Sequence, residues 1–325
     1  MLRPRTIDLF CGAGGSSAGA RSAGAQLVAA FDAWELAGKV YTDNFPEATF
    51  HHGRLEDVTD CQIKALGKID LILASPECTN HSPAKGNKPR CEKSRETAFQ
   101  VTRFVKLLEP RWLVIENVAS MRNWFRYQQL LQELEELGYK ISAQVLNSAD
   151  FGVPQKRRRL FILCDRESTP PTVEPTARKL RPASKIINTN GKYDYSPLVT
   201  PRRAKATLER AQRAFDVVGR KTPFIIVYYG SDHAGGWQSL DDPLRTITTL
   251  DRFALVKPHG TGHVMRMLQV PELKAAMGMP QSHKLNHGTR RENIKLVGNA
   301  VCPPVMGAVV RSLLRLKNGV RCNGK

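Results

Sequence analysis

Residues 6–19 read TIDLFCGAGGSSAG. The run Thr6–Phe10 fits a buried strand, and three glycines, Gly12, Gly14 and Gly15, follow it into a helical stretch of small residues. Glycine permits a tight strand-to-helix turn and close approach of the backbone to a ligand. The next apolar run, Gln26–Phe31, ends at Asp32, where a carboxylate can hold ribose hydroxyls. The glycines alone fit NAD, FAD, S-adenosylmethionine or a plain structural turn. The dinucleotide fingerprint GxGxxG is not matched, because Ser17 stands at its third glycine.

Further along, strands are expected at Ile69–Ala74, Trp112–Ile115 and Leu160–Cys164, with helices at Phe99–Leu108 and Tyr127–Leu137. Strands alternating with helices predict a doubly wound α/β sheet with a mostly parallel core. The character changes near Glu167. STPPTVEPTARKLRPASK (168–185) is Pro-rich and basic, and Arg and Lys dominate residues 166–221. A helix over Thr207–Val218 and β-rich patches at PFIIVYYG (223–230) and TITTLDRFALV (246–256) follow. The expected organisation is a catalytic domain of residues 1–167 plus 292–325 and a smaller basic domain of residues 168–291.

The 325 residues carry 49 Lys and Arg against 30 Asp and Glu, a net charge of +19. Mean hydropathy is −0.35 and the pI is near 9.9. A surface this cationic attracts polyanions, nucleic acid first and membrane surfaces second. No window holds the roughly 18 apolar residues of a membrane span, so no membrane partner is expected. The N-terminus lacks an apolar signal region, and seven scattered cysteines have no CxxC pair. Free thiols and a cytoplasmic location are therefore expected. The histidines lack metal-ligand spacing, and no metal is expected.

Chemistry-bearing residues fall at strand ends. IDLILA (69–74) runs into SPECTNHS, which puts Cys78 at the carboxyl end of a strand, where α/β sheets place ligands. A lone cysteine is ordinarily a small buried apolar residue. Its companions are ENV (116–118), FGVPQKRRRLFIL (151–163) and GNAVCPPV (298–305). Strand alternation sends Arg157 and Arg159 to one side.

DLFCGAGG, the Pro-x-Cys loop, ENV, QKRRR, RMLQVPELKAAMGMP (266–280) and GNAVCPP, in this order, resemble the cytosine-5 DNA methyltransferase family, across about residues 6–310. The resemblance implies a Rossmann-like S-adenosylmethionine-dependent methyltransferase sheet with a target-recognition domain. It implies cofactor contacts from Phe10, Gly12, Ala13, Gly14, Gly15, Asp32, Trp34, Leu55, Asn299 and Ala300. Cys78 becomes the nucleophile, Glu116 the partner of cytosine N3 and its amino group, and Arg159 with Arg157 the partners of O2. Pro76, Asn117, Gln155 and Thr246 are implied at the substrate, with Thr246 supporting the recognition domain. Implied partners are double-stranded DNA and, functionally, a restriction endonuclease, with the chain acting as a monomer.

The chemistry is coherent without the family. Cytosine C5 is a poor nucleophile until a thiolate adds to C6 and makes an enamine, and a duplex hides both atoms until the base is flipped out. Three positions depart from the family pattern. Glu77 stands where proline ordinarily precedes the cysteine, and is expected to point away from the thiol. Ala33 follows Asp32 in place of an aromatic, with Trp34 as the substitute. Arg54, before Glu56 and Asp57, stands where an adenine-binding Asp is usual.

Overall fold

The computed structural model describes residues 3–77, 97–189, 193–228 and 235–315. Its first sheet has seven strands: β1 (Arg5–Leu9), β2 (Gln26–Asp32), β3 (Thr49–His52), β4 (Leu71–Ala74), β5 (Trp112–Val118), β6 (Lys140–Asn147) and β7 (Arg158–Asp165). The order is β3-β2-β1-β4-β5-β7-β6. β1 to β5 pair in parallel, and β7 runs antiparallel to both β5 and β6. The five expected strands are all present. The two unexpected ones, β3 and β6, are the sheet's edges, where half-solvated residues leave no apolar run.

Alternation along the strands sorts side chains to two faces. In β4, Ile72 and Ala74 join a core with Phe104 and Leu130, while Leu71 and Leu73 join the opposite core with Val297 and Val309. The first core is closed by α4 (Thr97–Leu108) and α5 (Tyr127–Glu136), which come after α1 (Gly15–Ser22), α2 (Glu35–Asn44) and α3 (Asp60–Lys64). The chain's last helices return to the second core.

The second sheet holds β8 (Ser196–Pro197), β9 (Phe224–Val227), β10 (Trp237–Ser239), β11 (Phe253–His259) and β12 (Gly262–Met267), in the order β10-β9-β11-β12-β8, with every pairing antiparallel. The expected strand at 246–256 begins only at Phe253. All four residues of β9 are buried. Phe224 and Ile226 pack on one side with Ala211 and Ala214 of α6 (Lys205–Val218), while Ile225 and Val227 enter the large core shared with the first sheet. The two sheets are thus joined by continuous apolar packing. After β12 come α7 (Val270–Ala276), α8 (Arg290–Asn299) and α9 (Pro303–Arg315). Helix α9 lies against α1 at small residues: a Cβ added to Gly19 would meet the Pro303 carbonyl at 2.5 Å.

A polar seam also joins the two parts. The Lys156 amide donates to the Leu244 carbonyl (2.7 Å), and the Leu244 amide to that of Pro154 (2.9 Å). The Thr246 hydroxyl donates to the Lys156 carbonyl at 2.8 Å.

Candidate active site

A cleft of about 390 Å³ opens at the carboxyl ends of β1, β2, β4 and β5, the ligand position of open α/β sheets. Its walls include Phe10, Gly12, Asp32, Trp34, Leu55, Pro76, Glu116, Asn299 and Ala300, all expected from the sequence. Ala13, Gly14 and Gly15 are not among the lining residues. A Cβ on Gly14 would lie 2.2 Å from the Phe45 ring, and one on Gly15 would lie 2.1 Å from the Val301 carbonyl. These glycines let the turn nest against its neighbours, and the cleft is lined by Cys11, Gly12 and Ser16.

Backbone contacts fix the rim. Phe10 adopts φ +59°, a left-handed conformation that costs a bulky residue energy. Its carbonyl accepts from the Ser75 hydroxyl at 2.9 Å. The Asp32 carboxylate accepts the Gly12 amide at 2.9 Å and the Trp34 amide at 2.8 Å. Burial pushes the Asp32 carboxyl above its usual range, against the pull of those two amides. Lys295 lies 4.5 Å from the centre of the Trp34 ring. Beneath the loop, His283 is buried, contacts the Phe45 ring edge-on and hydrogen-bonds to the Ala13 backbone; burial pushes it down to about 4. It is therefore neutral near pH 7.

Asp8, one strand position before Leu9, is fully buried. Oδ2 accepts from the Ser17 hydroxyl at 2.7 Å, and that hydroxyl lies 2.7 Å from the Tyr41 hydroxyl. Burial raises the Asp8 carboxyl to about 7.

The other end of the cleft is built on β5 and β7. Glu116 is 6% exposed and lies 3.4 Å from Nε of Arg159. Burial pushes its carboxyl up, while Arg159 and then Arg157 pull it down. Glu116 lines both the cleft and a small adjoining pocket walled by Arg157, Arg159, Phe161 and Cys302. Alternation does bring Arg157 and Arg159 to one side, yet their guanidinium groups are used differently. That of Arg157 donates to the carbonyls of Ile247 (2.9 Å), Gly298 (2.8 Å) and Ala300 (3.1 Å). It clasps the seam and the C-terminal end of α8.

Gln155, Asn117 and Thr246 have polar atoms engaged within the protein. Gln155 is fully buried: Nε2 donates to the Ala276 carbonyl at 3.1 Å, and Oε1 accepts the Ile247 amide at 2.8 Å. Asn117 is 1% exposed and donates to the Pro76 carbonyl at 3.1 Å. Thr246 belongs to the seam. Each braces the site from within the protein, because its polar atoms are engaged there and do not line the cleft. Cys78 lies outside the described residues. Lys295, Ser75 and Val301 line the cleft without having been expected there. Lys295 stands one helical turn before Asn299, and that spacing is the signal by which it was findable.

A family model for C-5 cytosine-specific DNA methylases matches residues 4–315. The type II methyltransferase M.XorII of Xanthomonas oryzae pv. oryzae is 35% identical over 191 residues, 55% of this chain and 45% of that protein. M.HindV of Haemophilus influenzae is 30% identical over 178 residues, covering 54% and 58%. The chain thus spans about half the length of the curated relatives it matches. Among solved structures, the Entamoeba histolytica methyltransferase EhMeth superposes with a TM-score of 0.71 at 19% identity, over 98% of this chain and 99% of that one. A putative DNA modification methyltransferase encoded within a prophage (E. coli) gives 0.69 at 17% identity, over 97% and 99%.

Proposed function

Since the chain belongs to the C-5 cytosine-specific DNA methylase family, we propose that it transfers a methyl group from S-adenosylmethionine to C5 of a flipped-out cytosine in double-stranded DNA. One observation carries this reading. The buried Glu116, paired with Arg159, stands where the large cleft and the small pocket meet.

The cleft suits the donor. Phe10, Trp34 and Leu55 offer apolar surface, Asp32 offers a carboxylate for ribose hydroxyls, and Asn299 closes the far side. When bound, the donor supplies an electrophilic methyl group. The chain's residues do the rest. The Cys78 thiolate adds to C6, and electron density moves into the ring toward N3 and O2. Glu116, whose burial favours its protonated form, donates to N3, and Arg159 holds O2. C5 then takes the methyl group. A base, for which water suffices, removes the C5 proton, and the thiolate leaves C6.

Arg157, Gln155 and Asn117 act as positioning residues. Residues 1–167 with 292–325 form the catalytic part, and residues 168–291 form the recognition part. We read the protein as a monomer of the cytoplasm whose methylation would block a restriction endonuclease of matching specificity. The test incubates the protein with labelled S-adenosylmethionine and either plasmid DNA or tRNA. Label is expected at cytosine C5 in DNA, and label only in tRNA refutes the reading. DNA carrying 5-fluorocytosine should trap a covalent complex that Cys78→Ala abolishes.

A further inference from the structure

Arg103 lies on α4 and is not part of the cleft wall, yet its guanidinium reaches the segment that forms part of that wall. Nη1 donates to the Leu55 carbonyl at 3.4 Å, and Nη2 donates to the Val58 carbonyl. Nε and Nη2 also donate to Oδ1 of Asp60, at 2.9 and 2.7 Å. Between the two carbonyls runs a single 3-10 turn, Leu55–Asp57. Its backbone bonds run from the Asp57 amide to the Arg54 carbonyl (3.1 Å) and from the Val58 amide to the Leu55 carbonyl (3.3 Å). One such turn is too short to hold its shape alone. Burial anchors the Leu55 side chain in a core shared with Val101 and Phe104 of α4. Arg103 supplies the polar half of that attachment. Arg54, Leu55 and Glu56 line the cleft, and so does Thr97, the first residue of α4. The guanidinium therefore ties together two parts of the wall that are distant in the chain.

In the reading proposed above, on which this inference rests, Leu55 offers apolar surface to the methyl donor. We propose that Arg103 is a positioning residue for donor binding: it fixes the turn at residues 54–58 to α4, so that this part of the wall is formed before the donor arrives. A planar guanidinium suits the task, because one rigid fork engages two carbonyls and a carboxylate together, whereas an ammonium is a point charge. The donor then loses no affinity to ordering of the turn. Glu116 and Arg159, assigned to the chemical step, are held on β5 and β7. The effect of Arg103 therefore falls on donor affinity and not on turnover.

The test uses the full chain, with S-adenosylhomocysteine as the calorimetric probe and steady-state methylation of plasmid DNA at varied S-adenosylmethionine. Arg103→Met should weaken probe binding and raise the donor KM about tenfold, with kcat and DNA affinity held within about twofold. Arg103→Lys should show an intermediate loss with the same split. Asp60→Asn removes the carboxylate and leaves the two carbonyl contacts, so it should change donor affinity by less than about twofold. Unchanged KM and probe affinity in Arg103→Met overturn the proposal, as does a parallel fall of kcat and DNA affinity. An Asp60→Asn effect equal to that of Arg103→Met also overturns it, by assigning the effect to the ion pair alone. If Arg103→Met does not fold, Arg103→Lys decides by the presence or absence of the split. A wild type that does not bind the probe at all overturns the assignment of the cleft to S-adenosylmethionine, and this inference with it.

Discussion

The carboxyl edge of the first sheet and the exposed basic segment that follows β7 handle charge in opposite ways. At the sheet edge, key ionisable groups are held by the protein. Glu116 meets Arg159, Asp32 is gripped by two amides, and Arg157 is spread over three carbonyls. On the Pro-rich segment after β7, Arg178, Lys179 and Arg181 are exposed. The first arrangement fixes atoms for chemistry. The second attracts a polyanion over a Debye length without fixing anything. The proposed function calls for both, because a reacting base must be held to fractions of an ångström while a duplex only has to be caught.

The sharpest way to break this contrast is at Arg157. Arg157→Met strands the carbonyls of Ile247, Gly298 and Ala300 and should cost about 3–5 kcal/mol of stability. Chemical denaturation should show a large drop in midpoint, with DNA binding and cofactor binding failing together. Survival of a stable, active Arg157→Met protein would mean the clasp is incidental. Glu116→Gln should leave the fold and donor affinity intact and reduce single-turnover methylation about 10²- to 10³-fold, roughly 3–4 kcal/mol in the barrier. A reduction below tenfold would remove Glu116 from the chemistry.

The held region also carries a pH signature. Asp8 has a folded-state pKa near 7, above the 3.8 of an ordinary aspartate. Between those values the native state binds more protons than the unfolded chain, so its stabilising share is complete below about 4 and fades as pH rises through 7. The stability of the wild type should therefore fall across that window by roughly 2–4 kcal/mol on account of Asp8. Asp8→Asn should flatten the slope of Tm against pH, whatever its effect at one pH. An unchanged slope would assign the titration elsewhere. The smallest effect belongs to the exposed face. Lys179→Ala with Arg181→Ala should weaken DNA binding by about 1 kcal/mol, without selectivity among sequences. The log–log slope of affinity against salt should become shallower by about one unit for each phosphate no longer neutralised, with Tm unmoved.

The same contrast explains what could be read from the chain. The held region was legible because buried strands need apolar runs, and its polar residues stand at their ends. Asp32, Trp34, Leu55, Glu116 and Asn299 all line the cleft, as their positions in the sequence imply. What escaped was partnership across the chain. Gln155, Asn117 and Arg157 have the composition of substrate contacts, and a sequence does not show that the Ile247 backbone, the Pro76 carbonyl or the C-terminal end of α8 is waiting for them. The edge strands β3 and β6 escaped because solvent covers part of each. TITTLDR reads as strand because β-branched residues favour pleated backbone, whereas residues 244–247 pair with 154–157 as a seam.

That seam sets the terms on which this protein could be made modular. A hybrid that exchanged residues 168–291 wholesale for a relative's segment would import foreign partners for Gln155, Lys156 and Arg157, and would sever a fastening that no surface inspection reveals. Cutting inside it, so that Leu244, Thr246 and Ile247 stay with their native strand and only the exposed basic stretch, α6 and the outer strands travel, keeps the fastening intact. The practical unit to exchange is therefore smaller than residues 168–291 as a whole.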